Sequence, residues 1–330
     1  MNDTIILGIE TSCDETAAAV VKDGRNTLSN VISSQIDVHR KFGGVVPEIA
    51  ARKHIEVISY IVNEALVQAN VTLPELNGIA VSNGPGLVGA LLTGLSYAKG
   101  LAFASDIPLL GMHHIYSHIC ANYLDTDWEP PFVCLVVSGG HTHIIDVADY
   151  TTCTVIGRTR DDAAGEAFDK VGRALGLPYP GGPEIDKLAG QGNPEAIKFP
   201  KTLFEDSLDF SFSGLKSAVL QYLNKHDNID INDICASFQA CVTDVLVSRT
   251  MTACKQRGKK KIALAGGVAS NIGLRESMRK ACEDNNILLS LPKPVYCTDN
   301  AAMVAGGGYY RYINNEADKY DLNAFPSLDL

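Results

Sequence analysis

One pattern constrains the fold of this chain more than any other, and it occurs twice. Residues 4–9 (TIILGI), the turn ETSCDET and residues 17–21 (AAAVV) read as strand, polar turn and strand. Residues 49–70 carry helical periodicity. GIAVS at 78–82 reads as a strand running through NGPGLVG into the helical pattern ALLTGLSYAKGLAFA. PLLGM at 108–112 is a further strand, followed by HHIYSHICANYL as a helix. The series then restarts. FVCLVV at 132–137 is a strand, SGGHT a glycine turn and HIIDV a returning strand. KIALA at 261–265 leads through GGVASN into the helix IGLRESMRKACED. The copies share little residue identity, so what is duplicated is an architecture: an α/β chain of two related lobes.

At each strand-to-helix junction glycines let the backbone approach a phosphate, and the helix N-terminus supplies unpaired N–H groups. Two such junctions, one per lobe, are expected to face each other across a central cleft. A tight turn with no ligand is the competing reading of each loop. The expected division is a first lobe at 1–112 and a second at 113–330, with a C-terminal helix at about 310–330 returning to the first. Residues 178–220, with PYPGGPEID and FSFSGLKSA, do not fit the repeat. They read as an insertion in the second lobe near the cleft mouth, where specificity is often carried.

The chain has 330 residues, 46% hydrophobic and 20% charged, enough for two domains with sizeable cores. No run approaches the roughly 18 apolar residues of a transmembrane helix, and the N-terminus lacks the basic region of a signal peptide. The nine cysteines form no CxxC pair, which argues for reduced thiols in a cytoplasmic protein and against a cysteine-ligated zinc site. The formal charge of −10 is wrong for a free-standing nucleic-acid binder. An RNA partner would need a local basic patch or a second protein. Lys255, Arg257, Lys259, Lys260 and Lys261 form one candidate patch; Arg40, Lys41, Arg52, Lys53 and His54 form another. For each, a solvated helix end or surface loop is the stronger reading.

HHIYSH places His114 and His118 one helical turn apart on a shared face, as two imidazole ligands of one metal would be. His113 is offset by about 100° and points elsewhere. Packed histidines are the alternative reading. Asp299, just before the helical pattern AAMVAGGGYYRYI, is the candidate third ligand, and its other reading is that helix's N-cap. Two histidines and one carboxylate with open positions suit a catalytic iron or zinc. Ile115 stands where HExxH would need a glutamate, which argues against a zinc protease.

GIETSCDETAAAVV (8–21), FGGVVPEIAARKH (42–54), NGPGLVGALLTG (83–94), HHIYSH (113–118), VSGGHTH (137–143), GEAFDKVGRALGLPYPGGPEID (165–186), FSFSGLKSA (210–218), AGGVASN (265–271) and CTDNAAM (297–303) run nearly end to end at ordinary spacing. Together they resemble the TsaD group, also called Gcp or the universal Kae/Qri family, of the actin-like ATPase superfamily. The resemblance implies two RNase H-like lobes and transfer of threonylcarbamoyl from threonylcarbamoyl-AMP. The implied acceptor is the adenosine beside the anticodon of tRNAs that read codons starting with A. It implies one divalent metal, iron favoured and zinc possible, and an adenine nucleotide (threonylcarbamoyl-AMP, or ATP or AMP) in the cleft. The implied partners are tRNA, a TsaB-like inactive paralogue and a TsaE-like small ATPase, with the adenylate made by a separate synthase and no membrane involved.

Carried over residue by residue, the resemblance puts His114, His118 and Asp299 on the metal ligands, and Val137, Ser138, Gly139, Gly140 and His141 on the phosphate loop. Asp169, Gly182, Asp186 and Asn271 fall on nucleotide and substrate contacts. Asp14 and Glu15, beside Glu10 in the first turn, are the candidate catalytic acids, although acids also favour turns without doing chemistry. Three rivals differ in kind. A small-molecule phosphotransferase of the same superfamily would not need the histidine pair, a metalloendopeptidase lacks its glutamate, and a scaffold would need none of these residues.

Overall fold

The computed structural model describes residues 3–226 and 228–330. In chain order the elements are β1 (Ile5–Glu10), β2 (Glu15–Lys22), β3 (Asn26–Ser34), α1 (Ile36–Arg40), α2 (Pro47–Ala69), β4 (Gly78–Gly84), α3 (Val88–Ser105), β5 (Leu109–His113) and α4 (His114–Cys120). There follow β6 (Phe132–Val137), β7 (Thr142–Val147), β8 (Cys153–Arg158), α5 (Ala164–Ala174), α6 (Gly181–Ala189), α7 (Ser213–Lys225), α8 (Ile231–Gln256), β9 (Lys261–Ala265), α9 (Ile272–Asp284), β10 (Leu288–Ser290), α10 (Pro294–Cys297) and α11 (Ala301–Ile313). They form two compact units, Met1–Glu129 with Pro292–Leu330, and Pro130–Leu291.

The first unit carries a five-stranded sheet in the order β3-β2-β1-β4-β5. β1–β2 and β2–β3 are antiparallel, while β1–β4 and β4–β5 are parallel. The second unit repeats this strand for strand as β8-β7-β6-β9-β10. Again the first two pairings are antiparallel and the last two parallel. The duplication read from the apolar runs is therefore a duplication of topology, and the actin-like α/β fold follows.

Helices cover both faces of the first sheet, which is why its central strands are continuously apolar rather than alternating. Leu7, Ile9, Ala18 and Val20 face the α2–α3 side with Ile58, Ile61 and Leu95. Ile6, Ala17, Ala19 and Val21 face the α11 side with Met112, Ala121 and Met303. α11 lies so close to β1 that a Cβ on Gly8 would collide with the Ala301 carbonyl and stand 2.7 Å from the Ala305 amide nitrogen. That close approach brings the start of α11 to the end of β1. It also moves the expected boundary. Residues 114–129 stay with the first sheet, because Ala121 and Leu124 pack into the same core as α11. The chain returns from Pro292, not from about 310, and its helix spans 301–313 with irregular chain beyond.

In the first unit α1, α2 and a short 3-10 turn (Leu73–Glu75) connect β3 to β4; in the second, four α-helices connect β8 to β9 among the described residues. The added chain is thus wider than residues 178–220 and includes α5. α8 is largely buried, with Cys235, Phe238, Val242, Leu246 and Thr250 in the interior and a narrow strip through Asp244, Ser248 and Lys255 exposed.

Candidate functional site

The first unit gathers its candidate ligands at the end of the sheet. β5 passes into α4 without a loop, and His113 caps the new helix. Its Nδ1 accepts from the Ile115 amide (3.2 Å), so Nε2 bears the proton and donates to the Leu328 carbonyl (3.1 Å). His113 is thereby turned away from the pair that follows. His114 and His118 point the other way, with ring centroids 4.7 Å apart. Asp299 meets them: its Oδ1 lies 3.6 Å from His114 Nε2 and 3.2 Å from His118 Nε2. One ligand atom from each residue falls within 4.8 Å of the others.

Asp299 is not the cap of α11. Asn300 holds that position, its side chain accepting from the Met303 amide at 3.1 Å. Its Nδ2 donates to the Thr298 carbonyl at 2.8 Å. With the cap supplied by its neighbour, the Asp299 carboxylate is turned to the histidines.

The donor set fits a divalent metal on three counts. Two ligand atoms each about 2.1 Å from a tetrahedral ion stand roughly 3.4 Å apart, which the 3.2 and 3.6 Å separations bracket. Among the described residues, Nδ1 of the fully buried His118 has no hydrogen-bond partner and its Nε2 is turned to Asp299. And His114 Nδ1 lies 3.1 Å from Glu10 Oε2, the carboxylate–histidine arrangement that orients metal-bound imidazoles. Glu10 is fully buried; its oxygens also accept from the Ser12 amide (2.6 Å) and the Ser82 hydroxyl (2.5 Å).

The electrostatics agree. Burial works to lower His114, but the Asp299 and Glu10 carboxylates outweigh it and raise the ring to about 9. The charge they stabilise there is one a dication could supply. Burial keeps His118 below its ordinary value, in the neutral form a ligand needs. Burial is also the main cause that raises Glu15 to about 9, with the Asp14 and Asp299 carboxylates adding to it. Glu15 thus lies within electrostatic reach of Asp299, and Asp14 within reach of Glu15.

The second unit holds three local polar clusters. Val137 pairs with Thr142, and the loop between them closes on itself. The Ser138 amide donates to the His141 carbonyl (2.8 Å), and the His141 amide to Ser138 Oγ (3.1 Å). A Cβ on Gly139 or Gly140 would meet nothing within 4 Å. The start of α5 docks on this loop through the Ala164 amide to Thr142 Oγ1 (2.9 Å) and the Gly165 amide to the Ser138 carbonyl (3.2 Å). On α5, Asp169 Oδ1 accepts from the Gly181 amide at 2.8 Å, beside Gly182. Asp186 and Asn271 meet at the start of α9, where Asp186 Oδ2 accepts from the Ile272 amide (2.9 Å) and Asn271 Oδ1 from the Leu274 amide (2.8 Å). Gln239 joins them, donating to Asp186 Oδ1 (2.9 Å) and accepting from Asn271 Nδ2 (2.7 Å).

A model of the family described as TsaD: tRNA N6-adenosine threonylcarbamoyltransferase matches residues 26–306. The chain belongs to the TsaD family. A tRNA N6-adenosine threonylcarbamoyltransferase of Clostridium perfringens (strain SM101 / Type A) is 60% identical to it, covering 100% of this chain and 99% of that one. One of Clostridium botulinum (strain Kyoto / Type A2) is 58% identical over 98% and 97%. Solved structures similar in fold include HypF of T. kodakarensis, with TM-score 0.66 and 16% identity over 97% of this chain and 49% of that one. Component A of the Acidaminococcus fermentans (R)-2-hydroxyglutaryl-CoA dehydratase has TM-score 0.56 at 16% identity, covering 95% and 100%.

Within this TsaD-family chain the sequence missed Gln239, Ser82 and Ser12 as supporting residues. Ser12 lies in a motif already singled out, which was its signal, and Ser82 ends the run GIAVS just before another. Gln239 sits on a helix with no apolar stripe and offered none. The basic patches are weaker than their composition implied. Arg40, Arg52 and Lys53 pair with Asp37, Glu48 and Glu56; Arg257 and Lys259 lie beside Asp146; and His54 is buried. Among the described residues no helix is long and apolar enough to cross a membrane.

Proposed function

We propose that this chain transfers the threonylcarbamoyl group of threonylcarbamoyl-AMP to N6 of the adenosine beside the anticodon, in tRNAs that read codons starting with A. The observation that carries the site reading is the convergence of His114, His118 and Asp299, with Glu10 behind the first ring. When bound there, a divalent metal, iron in preference to zinc, supplies electrophilic polarisation of donor oxygens.

The rest is work for the chain's own residues. The adenine amine is a weak nucleophile and the donor is already activated, so orientation and charge stabilisation matter most. The amine nitrogen attacks the carbamoyl carbon, a C–N bond forms, the C–O bond to the phosphate breaks and AMP leaves. The Asp14–Glu15 pair orients the acceptor and receives the proton the amine sheds. In the second unit the Val137–His141 loop holds the departing phosphate through backbone N–H groups. The open space above Gly139 and Gly140 supports that role. Asp169, Gly182, Asp186 and Asn271 hold the nucleoside, and Gln239 keeps the last two in place.

An acidic chain whose candidate basic patches are partly neutralised by neighbouring carboxylates needs help to hold tRNA. A TsaB-like paralogue and a TsaE-like ATPase, in the cytoplasm, fit that need. Exposed Val88, Leu92 and Phe103, one stripe of α3, are the apolar face offered to the paralogue. The test combines the chain with these partners, threonylcarbamoyl-AMP and unmodified tRNA, then seeks the modified nucleoside by mass spectrometry. Product with the parent chain and none with His114→Ala is expected. Product undiminished in His114→Ala would overturn the metal role.

A further inference from the structure

We propose that His54 is a positioning residue for the transfer, fixing through a directed hydrogen-bond relay the backbone of the turn that presents Asp14 and Glu15. The proposal rests on the reading that this acidic turn acts in the reaction.

Three successive carbonyls of the turn are each held from outside it. The Ser12 carbonyl accepts from the Leu87 amide (2.8 Å) and the Asp14 carbonyl from the Gln35 amide (3.0 Å). The Cys13 carbonyl, between them, accepts from His54 Nε2 (3.0 Å). Two of the three donors are main chain, so the middle one is the tether that a side-chain change can remove.

The geometry dictates every proton in the relay. A carbonyl only accepts, so His54 Nε2 carries the hydrogen and Nδ1 must accept. The Thr16 hydroxyl donates to that Nδ1 at 2.7 Å. Gln35 Nε2 also faces it, 3.4 Å away and equally far from the Ala50 carbonyl. The Gln35 amide is oriented from its other end. The Val46 amide donates to His39 Nδ1 (3.3 Å), so His39 Nε2 donates to Gln35 Oε1 (3.2 Å). A backbone N–H begins the relay and a backbone carbonyl ends it, leaving no group free to reverse.

His39, His54 and Thr16 are fully buried and Gln35 is 5% exposed. A satisfied network in such surroundings is stiff. Burial also keeps His54 below its ordinary pKa, hence neutral. This assigns a purpose to the segment FGGVVPEIAARKH, which supplies Val46, Ala50 and His54 and none of the candidate ligands.

The test compares steady-state transfer by the full chain with its partners across His54→Leu, His54→Gln, Thr16→Val and Asp14→Asn. A misplacement of an ångström can cost roughly a hundredfold, so His54→Leu is expected to lose kcat on that order. KM for tRNA and metal content should stay at parent values. His54→Gln, whose amide can still donate to Cys13, should recover most of the loss. Thr16→Val, which frees the ring to take the other tautomer, should show a smaller loss without removing a core side chain. Added to Asp14→Asn, His54→Leu should cost less than it does alone, because both act through the one turn. Parent kcat in folded His54→Leu and Thr16→Val, or equal impairment of the Leu and Gln variants, overturns the relay. If Asp14→Asn and Glu15→Gln both keep parent kcat, it is the underlying reading of the turn that fails, whatever His54 does.

Discussion

Glu10 and His114 lie 104 positions apart, and their side chains meet at 3.1 Å, on the opposite side of the imidazole from Asp299. The buried carboxylate holds Nδ1 as the donor and leaves Nε2 to face Asp299. Such supporting carboxylates typically contribute roughly 10–100-fold to metal affinity. Glu10→Gln should therefore weaken metal retention by about that factor while leaving all three candidate ligands in place. A competitive chelator titration read by metal analysis checks it, and unchanged retention would remove Glu10 from the site. Stripping the metal should abolish transfer, and ferrous ion or zinc should restore it.

Asn300 and Asp299 are neighbours with separable duties. Losing a helix cap costs about 1 kcal/mol, and the fully buried Asn300 also satisfies two carbonyls, from Tyr296 and Thr298. Asn300→Ala should lower the thermal midpoint measurably. Asp299→Ala should lose metal and activity with little change in the metal-free midpoint. Calorimetry paired with metal content distinguishes the two, and matching profiles would contradict the assignment.

Gly139 and Gly165 test packing against ligand binding. A Cβ on Gly165 would stand 2.5 Å from the Ser138 carbonyl oxygen and 2.8 Å from Gly139 Cα, so Gly165→Ala must displace the loop. It should cost both stability and nucleotide affinity. Gly139→Ala meets nothing of its own chain, so it should fold with an unchanged midpoint. It should still weaken AMP binding roughly tenfold, about 1.4 kcal/mol, if the loop backbone approaches a phosphate. Calorimetric titration with AMP reads this directly; unaltered affinity would return the loop to the status of a bare turn.

Asp161 ties the inserted chain to the end of β8. Its carboxylate accepts from the Ser211 hydroxyl (2.5 Å), the Phe212 amide (2.8 Å) and the Ser213 hydroxyl (2.8 Å). Burial pushes it up, yet these donors hold it below its ordinary value of 3.8. A carboxyl lowered in the folded state stabilises fully above its unfolded pKa, and the contribution is lost as pH falls through the folded one. Asp161→Asn should lower the urea midpoint near neutrality, and the gap from the parent chain should shrink on acidification below 3.8. A gap that stays constant into acid would show that the charge is not what matters.

The strands legible in the sequence were those buried on both faces. FVCLVV and KIALA are strands from end to end because no polar residue interrupts them. β3 (NTLSNVISS) and β8 (CTVIGR), each at one edge of its sheet, alternate with polar residues or carry glycine and escaped notice. α8 escaped for a different reason: it is buried over most of its circumference, and the narrow exposed strip of Asp244, Ser248 and Lys255 sets only a weak period. The i, i+4 histidine pair could be read locally, because one helical turn fixes its geometry. So could the glycines of the Ser138 loop, whose neighbours in sequence are their neighbours in space. The sequence did not determine that Asn300 rather than Asp299 caps α11, or that Glu10 backs His114. Nor did it reveal that His54 lies under the acidic turn rather than on a basic surface. Those facts depend on α11 seating against β1 at Gly8 and on α2 folding back over β2. Apart from the Asn300 cap itself, which is local, they rest on contacts between residues 38 to about 290 positions apart, which no local periodicity records.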